Sequence, residues 1–181
     1  MSDLADIRAE VCQLELRLDE LRSLLREAGL RDSMPPGPPS ALLCQVGEQR
    51  VGVPLSQVEQ VLMMCELAPI PESPAWISGL LNFHGTLIPV IDIWARTHEG
   101  QRPSLFNDSI VVCSTGSGPL AIIVQGTERV VTFEFEAIGV PPEELPIADY
   151  LFGVFELLGE PIFLLNLARL QQAYQTNDGE P

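Results

Sequence analysis

The chain is 181 residues long and 46% apolar, enough for one ordinary domain or two small subdomains on a shared core, and too apolar for a disordered polymer. Its 25 acidic residues stand against ten basic ones, all arginine, for a net charge of −15. Such a surface repels phosphate backbones and anionic headgroups, which excludes nucleic acid and direct membrane insertion as working expectations and favours protein partners.

Residues 3–28 place Leu4, Ile7, Val11, Leu14, Leu18, Leu21, Leu25 and Ala28 in unbroken 4-3 spacing, the seam of a coiled coil. Ser2 and Asp3 suit a helix start and Gly29 its end, so 1–32 is predicted to be an amphipathic heptad helix roughly 40 Å long. A stripe this narrow cannot bury itself, and three destinations fit it: a second copy in a homodimer, a partner's helix, or the chain's own domain. The N-terminus lacks the basic start and apolar run of a signal peptide, and no apolar stretch reaches membrane-spanning length, so a cytoplasmic protein with reduced thiols is expected. Cys12, Cys44, Cys65 and Cys113 form no CxxC pair and, with His84 and His98, give no zinc-ligand spacing. Neither metal nor cofactor is expected.

The segment 33–40 holds four prolines in eight residues and is predicted to be a semi-rigid spacer. From residue 41 the pattern becomes short apolar runs between turn residues, as in a β-sandwich or barrel. A hairpin is expected from 42–46 and 50–53 about the turn 47–49. The run 55–63, with Val58, Val61 and Leu62 on one side, predicts the one helix of this part. A strand at 87–91 contains Pro89, which points to a sheet edge or bulge. Further strands are expected at 110–113, 120–124 and 129–135, where Val131, Phe133 and Phe135 alternate with Thr132, Glu134 and Glu136, then at 151–158 and 161–165 before a closing helix at 168–174. The runs 88–93 and 162–167 echo each other, each an apolar strand ending in a residue, Asp92 or Asn166, that can cap the next helix. The organisation read from the chain is therefore a helix at 1–32, a linker at 33–40, one domain at 41–174 and a disordered tail at 175–181. Within the domain, two β subdomains at roughly 41–96 and 108–158 are followed by a C-terminal return to the first.

Motifs for catalysis are missing: there is no GxSxG, GxGxxG, GxxxxGK[ST] or HExxH. His84, in Asn82-Phe83-His84-Gly85, is the one candidate for acid-base work, and no nucleophile or carboxylate is placed beside it by the sequence. Glu134 and Glu136 read as the solvated side of a strand and Asp92 as a helix cap. The chain is not expected to be an enzyme.

Several of these segments together resemble CheW domains. The resemblance is carried by Gly52-Val53-Pro54-Leu55, by Val58 and Val61, by Pro69-Ile70-Pro71, by Gly79-Leu80-Leu81-Asn82-Phe83-His84-Gly85 and by Pro89-Val90-Ile91-Asp92-Ile93. It continues through Ile110-Val111-Val112, residues 120–124, Gly153-Val154 and Phe163-Leu164-Leu165-Asn166-Leu167. The resemblance implies a mainly β fold of two five-stranded, SH3-like barrels without chemistry. It also implies a non-catalytic adaptor that couples chemoreceptors to a CheA-type histidine kinase, cytoplasmic and recruited to membrane-associated receptor arrays. Carried over by position, Val58, Gln60 and Val61 belong to the side that meets the kinase regulatory domain. Gly79, Asn82, Phe83 and His84 belong to the side that meets the chemoreceptor tip, whose helix the groove between barrels holds. Three departures mark this chain: His84 replaces the family's Arg in Asn-Leu-Arg-Gly, Gln60 stands where Glu is common, and the heptad helix is additional. A second function fits the same features, that of a coiled-coil scaffold using a CheW-like fold to dock a partner other than a kinase.

Overall fold

The computed structural model describes residues 38–97 and 108–177. The segment predicted to be a heptad helix, most of the linker, Cys12, His98 and the last four residues lie outside the described residues.

Ten strands are formed among the described residues, in the order β1 (Ser40–Val46), β2 (Gln49–Pro54), β3 (Val58–Met63), β4 (Ile77–Phe83), β5 (Thr86–Asp92), β6 (Ser109–Thr115), β7 (Gly118–Val124), β8 (Gly126–Thr132), β9 (Leu151–Leu157) and β10 (Glu160–Leu165). Helix α1 (Ile93–Thr97) follows β5, and helix α2 (Leu167–Asn177) follows β10. The strands make two five-stranded sheets, ordered β8-β1-β2-β10-β9 and β3-β6-β7-β5-β4. The fold is mainly β, with two SH3-like subdomains, as the sequence predicts.

Continuous apolar runs form these strands because both faces are covered. Along β6, Val111 and Cys113 point into a cluster shared by the two sheets, while Ile110 and Val112 point into a cluster of their own sheet. Strand β1 does the same, with Leu42 and Cys44 toward the shared cluster and Ala41 and Leu43 toward the lateral core of its own sheet. The period-2 alternation of a strand thus sorts neighbouring side chains into a central core and two lateral ones.

The two sheets are copies of one plan assembled from exchanged parts. The segments β1–β5–α1 and β6–β10–α2 repeat in sequence, but β1 and β2 join β8, β9 and β10, while β6 and β7 join β3, β4 and β5. The parallel pairings β2–β10 and β7–β5 are the seams of this exchange. The expected division at 41–96 and 108–158 matches neither repeats nor sheets: its second span stops before β10, and each sheet takes strands from both spans.

Three local expectations are corrected. Residues 55–63 are not a helix but a 3-10 turn at Leu55–Gln57 followed by strand β3, paired with β6. A bulge at Glu59, between Val58 opposite Cys113 and Gln60 opposite Val112, shifts the pleat, so Val58 packs on the central core and Leu62 on the lateral one. That extra residue gave the apolar positions a helix-like spacing. Strand β5 is internal, not an edge. Its parallel pairing with β7 starts at Val90, one residue beyond Pro89, so the missing N–H falls before that ladder begins. The strand expected at 129–135 ends at Thr132, yet its alternation persists: Val131, Phe133 and Phe135 are half-buried against the lateral core.

Candidate functional site

The residues picked out as partner-binding lie at the two edges of the β3-β6-β7-β5-β4 sheet. On β3, Val58 is half-buried, Gln60 is exposed and Val61 is 40% exposed, with Met63 beyond it 85% exposed. Among the described residues β3 pairs only with β6, so its other side there offers backbone groups and apolar side chains together.

At the opposite edge, Asn82 and His84 are exposed and Phe83 half-buried, whereas Gly79 is buried. Gly79 has φ +140°, and a Cβ there would stand 2.6 Å from the Ala68 carbonyl oxygen. Its part is to let the segment before β4 cross the strand, where Ala68 and Leu80 exchange hydrogen bonds of 2.9 and 2.8 Å. Gly79 therefore adds no side chain to this edge and shapes its path. The β4–β5 hairpin turns on two residues, His84 and Gly85, with φ +51° and +88°, the backbone of a type I′ turn. The Asn82 side-chain oxygen accepts the Gly85 N–H at 2.9 Å, and the His84 ring meets Phe83 edge-on with centroids 4.4 Å apart. His84 is thus held, exposed, at the tip of the hairpin by local contacts.

Asp92 is a cap, as its place in the sequence suggested: its Oδ1 accepts the Ala95 N–H at 3.0 Å, and Asn166 Oδ1 accepts the Arg169 N–H at 3.2 Å. Cys44 and Cys113 are buried and held as thiols: burial pushes Cys44 up to about 12, with Glu128 adding to it. Burial raises Cys113 further, with Cys44 and Glu59 adding to it. No group of His, Cys, Asp and Glu able to hold a metal occurs among the described residues, and no described helix is long and apolar enough to cross a membrane.

Sequence reasoning missed two features. Leu158 and Gly159 repeat the His84-Gly85 turn between β9 and β10, with φ +56° and +84°, and leave Leu158 87% exposed. The echo between 88–93 and 162–167, extended backwards, would have found it. Arg96 lies in α1 between the rings of Trp76 and Tyr150, 5.1 and 5.2 Å from their centres. Burial pushes the Tyr150 phenol up, while Arg96 opposes the shift. No spacing rule links these three positions.

A two-barrel protein with apolar and polar side chains exposed along sheet edges is an interaction module in its class. The chain belongs to the family of the CheW-like domain, whose model matches residues 40–175. It is similar to protein FrzA of Myxococcus xanthus, with 32% identity over 138 residues, covering 71% of this chain and 82% of that protein. To chemotaxis protein CheW of Treponema pallidum (strain Nichols) it is 25% identical over 132 residues, 70% of this chain and 78% of that one. The crystal structure of scaffolding protein TtCheW from Thermoanaerobacter tengcongensis superposes with a TM-score of 0.67 at 25% identity, covering 74% and 87% of the two chains.

Proposed function

We propose that this chain is a non-catalytic adaptor that couples chemoreceptors to a CheA-type histidine kinase in a chemosensory pathway. The observation that carries the reading is the match of a CheW-like domain over residues 40–175 on a fold whose two candidate surfaces lie at opposite edges of one sheet. An adaptor needs two partners at once, and surfaces on opposite edges do not compete for the same space. The β3 edge, with Val58, Gln60 and Val61, serves the kinase regulatory domain. The β4 edge, with Asn82, Phe83 and His84 on a strand shaped by Gly79, serves the receptor tip. Apolar side chains such as Val61 add about 25 cal/mol per Å² buried before association costs. The protein works in the cytoplasm, at receptor arrays.

The edges can be separated by substitution. Val61→Asp places a charge on the β3 edge and is expected to weaken kinase-domain binding tenfold or more, on the order of the loss from burying an unpaired charge, while receptor-fragment binding stays unchanged. His84→Arg restores a permanent cation at the β4 edge and is expected to strengthen the receptor contact alone. Equal effects of either substitution on both partners would contradict the two-edge assignment.

Residues 3–28 add a dimerisation seam to this adaptor, supported by the strict spacing of Leu4, Ile7, Val11, Leu14, Leu18, Leu21 and Leu25. Replacing Leu14 and Leu21 with polar residues is expected to halve the mass seen by light scattering. A monomer before and after replacement would remove the dimer.

A further inference from the structure

The β4–β5 and β9–β10 hairpins hold the same place in the two repeats, and each turns on two residues of positive φ, His84-Gly85 and Leu158-Gly159. In a two-residue turn the flanking pair, here Phe83 and Thr86, makes the last hydrogen bonds of the ladder. The N–H of the second turn residue falls outside that ladder. Asn82 supplies its acceptor, with Oδ1 taking the Gly85 N–H at 2.9 Å. At the other tip the place of Asn82 is held by Glu156, exposed and charged, so the two tips are not equipped alike. Two further contacts set the imidazole. The φ of +51° fixes the direction of the His84 Cβ, and the ring meets Phe83 edge-on with centroids 4.4 Å apart. Phe83 is itself half-buried against the lateral core of Leu81, Ile88 and Val90, so the ring that His84 leans on is anchored in the barrel. Positive φ is a region that L side chains enter at a cost, and the exposed end of a hairpin is where opening is easiest. An acceptor for the Gly85 N–H is what holds such a turn closed.

We infer that Asn82 is a positioning residue of the receptor edge: it closes the His84-Gly85 turn and so fixes the imidazole for the partner, without making the contact itself. The role rests on the adaptor reading above and divides the labour within that edge, where Asn82 and His84 otherwise stand as equal members. A tip ordered before binding loses less entropy on association than one the partner must order. Asn82 therefore acts on receptor affinity only through His84, and the two form one unit whose substitutions do not add.

Full-length protein labelled with ¹⁵N gives the first measurement, exchange of the Gly85 amide with solvent. Exchange is expected to quicken about fivefold in Asn82→Ala, as for loss of one hydrogen bond, and to stay near the unsubstituted rate in Asn82→Asp, which keeps the acceptor. Equal Gly85 rates in the unsubstituted protein and Asn82→Ala would overturn the inference. The second measurement is a double-mutant cycle on binding of a chemoreceptor cytoplasmic fragment. His84→Gly removes the imidazole and leaves a residue that takes positive φ freely. Asn82→Ala is expected to lower receptor affinity about fivefold when His84 is present and not at all in the His84→Gly background, with kinase-domain affinity unchanged throughout. The same loss in both backgrounds would make Asn82 a contact in its own right and overturn the inference, as would unchanged receptor affinity in Asn82→Ala alone. Should Asn82→Ala misfold and lose both partners, Asn82→Asp takes its place: receptor affinity kept within about threefold supports the positioning role, and loss of receptor affinity alone overturns it. Failure of the unsubstituted protein to bind the receptor fragment would instead sink the adaptor reading, and Gly85 exchange would still decide whether Asn82 closes the turn.

Discussion

Cys44 on β1 and Cys113 on β6 hold matching places in the repeats, opposite Val51 and Leu120 on the next strand, and each thiol points at the carbonyl two residues back, Leu42 or Val111, at 3.7 Å. Their lack of ligand spacing was legible from the residues alone, but not their burial, which depends on the exchange of strands between sheets. The raised pKa has a signed consequence. Above the ordinary thiol value of about 8.5, the unfolded chain loses protons that the folded chain keeps, so unfolding releases protons and stability falls as pH rises toward about 12. Below the ordinary value these two groups contribute no slope. Alkylation of the native protein followed by peptide mapping is expected to modify exposed Cys65 and spare Cys44 and Cys113 until denaturant is added. Modification of all three at equal rates would contradict their placement. The two hairpin tips show the limit at this scale: a Gly after His84 and after Leu158 suggests a turn, but positive φ at the His and Leu themselves becomes visible only once β4–β5 and β9–β10 are paired.

At the scale of elements, hairpins were legible and bulges were not. β1–β2 and β9–β10 fall where apolar runs flank a short turn, because hairpin pairing is decided by neighbours in sequence. β3 was misread because its partner β6 is remote and one bulged residue disguised its period. The closing crossings were equally hidden. Gly79 lets the segment at Ala68 cross β4, and Gly153 does the same for the segment at Ile138, whose Cγ2 would stand 2.2 Å from an added Cβ. Gly79→Ala sets a Cβ against a backbone oxygen at a φ that L residues avoid. It is expected to cost about 2–3 kcal/mol, lowering the melting temperature by roughly 5–10 °C for a domain of this size. Thermal unfolding followed by circular dichroism checks this, and an unchanged midpoint would mean the crossing yields without cost.

For the whole molecule, the echo of 88–93 in 162–167 was the trace of a repeat running from β1 through α1 and again from β6 through α2. The sequence carried the repeat, but nothing local could show that the repeats exchange β1 and β2 for β6 and β7, since parallel pairings such as Val90 with Ala121 join residues far apart in the chain. The candidate surfaces were legible as residues and not as places: Val58 to Val61 and Asn82 to His84 become opposite edges only after β6, β7 and β5 have been laid between them. Simultaneous binding at these two edges is what the proposed adaptor role requires. Sedimentation of this protein with a kinase regulatory domain and a chemoreceptor cytoplasmic fragment tests it most directly. A single boundary containing all three is the predicted result, with the kinase domain and receptor fragment sedimenting apart when this protein is left out. Mutually exclusive pairs, or neither partner bound, would contradict it.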